Sequence, residues 1–400
     1  MYARGAAARK WGASLSFVTL NPAVPLRAHG WRDRVHDIAA EFRLDGGLVA
    51  LFIASRVLVV LAAIAAETLI PRNPALEPGV DAPILRSLTS WDGWYYLGIV
   101  RDGYQGEPVS GAYANVAFPP LYPAVVRALS WPIPGSEAIV AILVSNVAFI
   151  AALALLVRLG TPYLGHRRAA IAAGLLIIYP FASVFTMAYT ESLFLLLMVA
   201  AFLAAERGHR AWTGVCFALA VLCRMQGIAL LLPLAIIMLR QDGWRPKPSL
   251  AWLLLGPLAA VGFLGFVAWV TGSSTGYLDA QQAWGREGLG GASAEGTIAA
   301  MFTPYQAALI ATLLASVFLL VFVREDRMRP EYWLVPVLFI AAELSSGSLE
   351  AVGRITMLAF PFVWILANRR SALARRTWPM VSVGLFTLIA VLQFGGYWVP

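Results

Sequence analysis

Charge is scarce in this 400-residue chain: Asp, Glu, Lys and Arg together make up 13%, against 60% hydrophobic residues. A water-soluble domain carries roughly twice that charged fraction, so a soluble globular fold is excluded. Cysteine is almost missing. Cys216 and Cys223 lie on one flank of a single apolar segment and cannot bridge each other, which excludes a disulfide framework or a cysteine zinc site. Histidine is confined to His29, His36, His166 and His209. A single basic stripe is also lacking. The net charge of +8, from 30 basic and 22 acidic residues, is dispersed between apolar runs, which argues against a nucleic-acid partner. No convincing signal peptide opens the chain, because the stretch 11–26 is short and broken by Pro22 and Pro25.

What is abundant is apolar sequence. Runs at about 47–70, 136–157, 169–188, 191–206, 211–223, 228–239, 250–271, 302–323, 332–346, 354–367 and 378–399 each read as a possible spanning helix. The expectation is an all-α polytopic membrane protein with about 11 transmembrane helices. A basic, cytoplasmic, partly disordered tail is expected over 1–46, and the membrane domain over 47–400. With the N-terminus inside, 22 Lys and Arg fall on cytoplasmic segments, 7 on external ones and Arg56 within the first span. That asymmetry obeys the positive-inside bias. Reading Arg224-Met225-Gln226-Gly227 as a kink rather than a turn would reverse every later loop and break the bias, so a turn is expected there.

Two long connections, 71–135 and 272–300, then face outward. The first is too aromatic for a disordered loop, with Trp91, Trp94, Tyr95, Tyr96, Tyr104, Tyr113, Phe118, Tyr122 and Trp131 close together, and should fold on the membrane surface. Within it, a hydroxyl residue suited to N-capping precedes Trp91, Trp94, Tyr95 and Gly98 at helical spacing, so a short interfacial helix is expected with Asp92 in its first turn. On spacing alone, Asp92 either complements the helix dipole or does chemistry. Thr190 reads as a natural N-cap with Glu191 behind it, and Pro119, Pro120 and Pro123 as a structural bend. All histidines fall on the predicted cytoplasmic side, so an external proton transfer needs a carboxylate, and Asp92 stands out among aromatics able to hold a sugar or lipid. Asp92 and Asp102 have no near third ligand, so no metal is expected. Arg224 and Arg354, at helix ends, could bind a lipid-linked phosphate or simply snorkel to the headgroups. Arg56, roughly 14 Å into the first span by helical rise, should face protein, with Glu343 or a polar cavity as its partner.

The ordered set Trp91-Asp92-Gly93-Trp94-Tyr95, Gly103-Tyr104 and Phe118-Pro119-Pro120-Leu121-Tyr122-Pro123 resembles the signature of the GPI mannosyltransferase II (PIG-V-like) family and its bacterial relatives. Tyr179-Pro180-Phe181, Tyr189-Thr190-Glu191-Ser192, Arg224 with Gly227, Gln281-Gln282-Ala283-Trp284-Gly285-Arg286 and Gly353-Arg354 continue that resemblance in order, over about 50–365. Pro119 and Ile355 depart from the family's usual phenylalanine and tyrosine. The resemblance implies a GT-C-type fold and an enzyme moving mannose from a polyprenyl-phosphate donor to a glycan or glycolipid acceptor on the non-cytoplasmic face; Arg- and Ala-rich usage sets the expectation of a bacterial plasma membrane. The resemblance makes Asp92 the catalytic residue, in loop 71–135. Candidate substrate-binding residues are Trp91, Tyr95, Arg101, Asp102, Tyr122, Glu191, Arg224, Gln281, Trp284, Arg286 and Arg354. The bilayer, donor and acceptor are the expected partners. No cofactor is expected, and no protein partner is indicated. A transporter or flippase of lipid-linked sugars, a GT-C enzyme using another polyprenyl-phosphate sugar, and a non-catalytic assembly partner are the competing readings. A transporter would more often carry inverted repeats and a midplane site, whereas the polar and aromatic residues gather here in one long loop.

Overall fold

The structure, a computed structural model, describes residues 44–73, 80, 82–106, 114–284, 304–321, 328–346, 349–369 and 372–397. The expected N-terminal tail lies outside these residues except at its end. Gly46 already opens α1 (Gly46–Leu69), an apolar helix that begins within a residue of the expected point. The first long connection folds into α2 (Pro83–Thr89), α3 (Asp92–Asp102), a 3-10 turn (Asn115–Ala117) and α4 (Leu121–Ser130). Then follow α5 (Glu137–Leu164), α6 (His166–Ile177), α7 (Glu191–Glu206), α8 (Arg210–Cys223) and α9 (Leu231–Gln241). The chain continues through α10 (Leu255–Thr271), α11 (Gly276–Ala283), α12 (Pro304–Val321), α13 (Pro330–Ser345), α14 (Val352–Leu358), α15 (Pro361–Asn368) and α16 (Ala372–Phe394). No strand occurs among the described residues.

Every apolar run carries helix. Four segments, Gly46–Leu69, Glu137–Leu164, Pro248–Thr271 and Thr377–Phe394, are long and apolar enough to cross a membrane, which makes this an integral membrane protein. The eleven expected crossings are a larger number than these four. The 14 residues of α8 and 16 of α7 rise only about 21–24 Å, short of a hydrocarbon core of about 30 Å.

Two runs expected as single helices are broken, and the breaks shape the site. The run 169–188 stops at Ile177, because Pro180 cannot continue a helix and biases Tyr179 away from helical backbone. Residues 178–190 then run through the protein interior as turns and a 3-10 segment (Ala182–Phe185), fully buried. Non-helical backbone at this depth must find partners within the protein. Hydroxyls from three helices supply them: Ser145 Oγ of α5 donates to Tyr189 O at 3.1 Å, Ser192 Oγ of α7 to Phe185 O at 3.1 Å, and Ser382 Oγ of α16 to Ile178 O at 2.6 Å. Ala188 N–H donates to Leu88 O of α2 at 2.9 Å. The run 354–367 is likewise split at Ala359 and Phe360, ahead of Pro361.

The Arg224–Gly227 turn is present. α8 ends at Cys223, Arg224 is extended, and a 3-10 segment (Met225–Leu230) leads into α9. Gly227 approaches α8 so closely that a Cβ would stand 2.9 Å from the carbonyl of Ala220. Arg56 corrects one expectation. Its guanidinium donates to Thr186 Oγ1 and sits over the rings of Phe52 and Phe149, 4.5 and 5.3 Å from their centroids. Glu343 is engaged elsewhere, accepting from Ala351 N–H at 3.0 Å. A span arginine is costly in hydrocarbon; here it ties α1 to the buried 178–190 segment.

Candidate active site

The chain enters α3 through an unusual turn. Trp91 has φ 57° and ψ −131°, and Gly93 N–H donates to Ser90 O at 3.2 Å. This is the first central position of a type II′ turn, where glycine is the usual residue, and an L side chain there costs about 1–3 kcal/mol. The hydroxyls expected to cap the helix do not do so, since Ser90 Oγ donates to Ser87 O and Thr89 Oγ1 to Leu85 O. What holds the strained turn is the Trp91 indole, whose Nε1 donates to Gln393 O of α16 at 3.0 Å. Gln393 in turn accepts from Ser183 Oγ at 2.8 Å in the buried segment. The turn delivers Asp92 to the first helical position, with its backbone N–H donating to the Tyr189 hydroxyl at 3.1 Å.

Four charged side chains from four separate elements meet there. Arg354 Nη1 of α14 lies 2.5 Å from Asp92 Oδ2 and 3.4 Å from Glu191 Oε1. Arg224 Nη1, at the end of α8, lies 2.5 Å from the same Glu191 oxygen and donates to Thr190 Oγ1 at 3.0 Å. Thr190 does not cap α7; its hydroxyl is shared with Arg224 and, at 3.3 Å, with the phenol of Tyr96. The chain Asp92–Arg354–Glu191–Arg224 therefore balances two carboxylates against two guanidiniums. Glu191 is wholly buried, while Asp92 retains 20% exposure. Arg354 Nε is buried without an acceptor, a cationic donor still to be satisfied.

Asp92, Arg224 and Arg354 open on a cleft of about 500 Å³ whose other walls include Phe118, Gln281 and Trp284. In the aromatic wall Tyr95 stacks on Phe118 at 5.5 Å, and Trp284 meets both edge to face, at 4.8 and 5.3 Å. Gln281 on α11 reaches Ala117 O at 3.4 Å, fastening that helix to the 3-10 turn before Phe118. Burial pushes the Tyr104 phenol, which donates to Phe118 O, well above its ordinary pKa, so it stays neutral.

The structure thus brings together Asp92, Glu191, Arg224, Gln281, Trp284 and Arg354 from the sequence candidates, with Tyr95 in the adjoining aromatic wall. Arg101 and Asp102 are exposed at the far end of α3 and do not line the cleft. Tyr122 has no exposed surface, and its hydroxyl is spent on Ala141 O at 2.8 Å and Ser145 Oγ at 3.0 Å, so it supports the wall rather than touching a substrate. Trp91 is the anchor of the turn. Arg286 lies outside the described residues. Sequence reading passed over Tyr96, Phe118, Gln226 and Tyr277 in the lining and Tyr189 behind Asp92. The aromatic density of the loop signalled Tyr96 and Phe118, whereas nothing local marked Tyr277.

The sequence profile of the mannosyltransferase (PIG-V) family matches residues 48–241, a stretch holding Asp92, Glu191 and Arg224. The match spans just under half of the chain. Among solved structures the protein is similar to ArnT from Cupriavidus metallidurans bound to undecaprenyl phosphate, at 16% identity over 88% of this chain and 77% of that one, with a TM-score of 0.48. It is also similar to the archaeal oligosaccharyltransferase AglB from Archaeoglobus fulgidus in complex with an inhibitory peptide and a dolichol-phosphate, at 13% identity over 86% and 56% of the respective chains, TM-score 0.44. No curated protein matches the sequence. Trp91→Phe keeps most of the ring volume but removes the indole donor to Gln393. One hydrogen bond holding a strained turn is worth about 1 kcal/mol, so the transfer rate should fall about fivefold. Assay of the purified variant beside wild type checks this, and an unchanged rate would release Trp91 from its anchoring role.

Proposed function

We propose that the protein transfers a mannosyl residue from a polyprenyl-phosphate-mannose donor to a glycan or glycolipid hydroxyl at the cleft, with inversion at the anomeric carbon. The observation that carries this is one carboxylate, Asp92, presented with two arginines at the mouth of an aromatic-walled cleft. A general base must reach the acceptor hydroxyl, and Asp92 is the cleft's carboxylate among the described residues. The phosphate of the donor is a dianionic leaving group, and guanidiniums aimed at it stabilise the charge that develops as the glycosidic bond breaks. Arg354 and Arg224 face the cleft, and the unsatisfied Nε of Arg354 fits an incoming phosphate oxygen.

In the resting site Arg354 is committed to Asp92. An arriving phosphate competes for the same guanidinium and frees the carboxylate to accept the acceptor's proton. The acceptor oxygen then attacks the anomeric carbon, the bond to phosphate breaks, and polyprenyl phosphate leaves. Tyr95, Phe118 and Trp284 offer ring faces for a sugar or for the first isoprene units of the carrier. The proposed step uses no cofactor or metal. The charge bias of the loops supports an external cleft.

The test is transfer of radiolabelled mannose by the purified protein, with a lipid extract of the source membranes supplying acceptors. Polyprenyl-phosphate-mannose, polyprenyl-phosphate-glucose and a nucleotide-mannose are offered separately. Incorporation from the first alone is the expected result. Transfer from the glucose lipid instead would change the sugar, and transfer from the nucleotide donor would overturn the lipid-phosphate reading.

A further inference from the structure

At the opposite end of the bundle the protein holds a second cavity, of about 150 Å³, between the ends of α5 and α15 and the start of α13. Ser145, beside the active-site segment, and Tyr163, in the cavity wall, are eighteen positions apart on α5, about 27 Å by helical rise. The cavity is therefore separate from the Asp92 cleft.

Beneath its two tyrosines lies a polar network. Glu206 at the end of α7 accepts from the hydroxyls of Tyr163 at 2.8 Å and Tyr332 at 2.9 Å, and lies 3.5 Å from Arg240 and 3.6 Å from Arg329. Glu331, almost fully buried, is paired with Arg240 at 2.8 Å. Two carboxylates thus face two guanidiniums, Arg240 and Arg329, so this network carries no net charge. Toward the mouth, among the described residues, Arg329 is one-third exposed, lies 4.9 Å above the Tyr163 ring and donates to the Tyr163 hydroxyl at 3.1 Å, while exposed Arg168, whose guanidinium donates to Asn368 of the cavity wall at 2.8 Å, adds positive charge beyond the balanced network. Leu164, Met328 and Trp364 complete an apolar and aromatic lining.

A mouth carrying Arg168 and Arg329 beside an apolar wall of Leu164, Met328 and Trp364 matches an amphiphilic anion. We propose that this cavity binds the anionic headgroup of a membrane phospholipid, with Arg329 on the phosphate and Leu164, Met328 and Trp364 against the glycerol and upper acyl carbons. The positive-inside bias places this end on the cytoplasmic side, where anionic lipids attract basic pockets between helices. The site is independent of the donor and acceptor proposed for the cleft.

Native mass spectrometry of the full-length protein in micelles tests this, with phosphatidylglycerol, phosphatidylcholine and inorganic phosphate titrated separately. One saturable phosphatidylglycerol, held at least tenfold more tightly than phosphatidylcholine, is expected. Arg329→Gln should abolish that preference and Arg329→Lys should retain most of it. Leu164→Trp, which fills the cavity without touching a charge, should also displace the lipid and serves if Arg329→Gln fails to fold. Equal binding of the two lipids, or selective binding that survives Leu164→Trp, would overturn the proposal. Inorganic phosphate competing at the same concentration as phosphatidylglycerol would show a free-anion site and overturn the lipid assignment.

Discussion

Asp92→Asn should leave a folded protein whose transfer rate is lower by about 100- to 10,000-fold, the span over which a positioned general base contributes. The variant keeps the size of the side chain, and its amide oxygen can still accept from Arg354, so the buried cation keeps a partner. It keeps the backbone bond to the Tyr189 hydroxyl as well, because that bond belongs to the main chain. What disappears is the negative charge able to take a proton from the acceptor. Because the phosphate is held by the arginines, the KM for the donor should change little while kcat collapses. Radiolabelled transfer at several donor concentrations separates the two. A variant within tenfold of wild type would remove Asp92 as the base. The neighbouring acids offer no easy substitute, since Asp102 lies exposed away from the cleft and Glu191 has no surface to present.

How far the site could be read from the chain depends on the range of the interaction. Asp92 and its aromatic neighbours were legible because they lie within a few residues of one another in a loop too rich in rings to be disordered. Glu191, Arg224 and Arg354 could be flagged singly, each at a helix end, but their meeting is a property of packing. Arg354 is 262 positions from Asp92, and no local pattern encodes that contact. Tyr277 entered the lining unannounced for the same reason, brought in by the fastening of α11 to the turn before Phe118.

Each apolar run carries helix, because burial in lipid and burial in protein both select apolar side chains, whereas the helices of the two long connections, such as Pro83–Thr89 and Gly276–Ala283, lie outside those runs. The same degeneracy hid the interruptions. The run 169–188 reads as one span although its second half is non-helical, since composition reports depth and not backbone conformation. Pro180 was the available signal, and its consequence became definite only with the hydroxyls of Ser145, Ser192 and Ser382, which satisfy the freed carbonyls from other helices. Arg56 shows the limit of pairing arguments within a span: a cation needs relief, and here a hydroxyl and two ring faces provide it instead of the acid expected at Glu343.

Glu191→Gln is expected to be the most damaging single change to the folded state, by about 3–5 kcal/mol, the usual loss when one partner of a buried ion pair is removed. Glu191 accepts from two guanidiniums at once, so its neutralisation leaves Arg224 and Arg354 sharing only Asp92. One largely buried positive charge then has no counter-ion. Thr190 Oγ1 and the glutamine oxygen can still accept hydrogen bonds, which limits the damage to charge rather than geometry. A fall in the thermal midpoint of the purified protein, larger than that of Asp92→Asn, checks the first part. The second part concerns binding: with its internal counter-ion gone, the arginine pair should attract phosphate more strongly, so the thermal midpoint of Glu191→Gln should be partly restored by polyprenyl phosphate. Restoration in Glu191→Gln beyond that seen for wild type would identify Glu191 as a stand-in anion that holds two phosphate-binding arginines together until the donor arrives. Equal stabilisation of both proteins would leave Glu191 a purely structural partner.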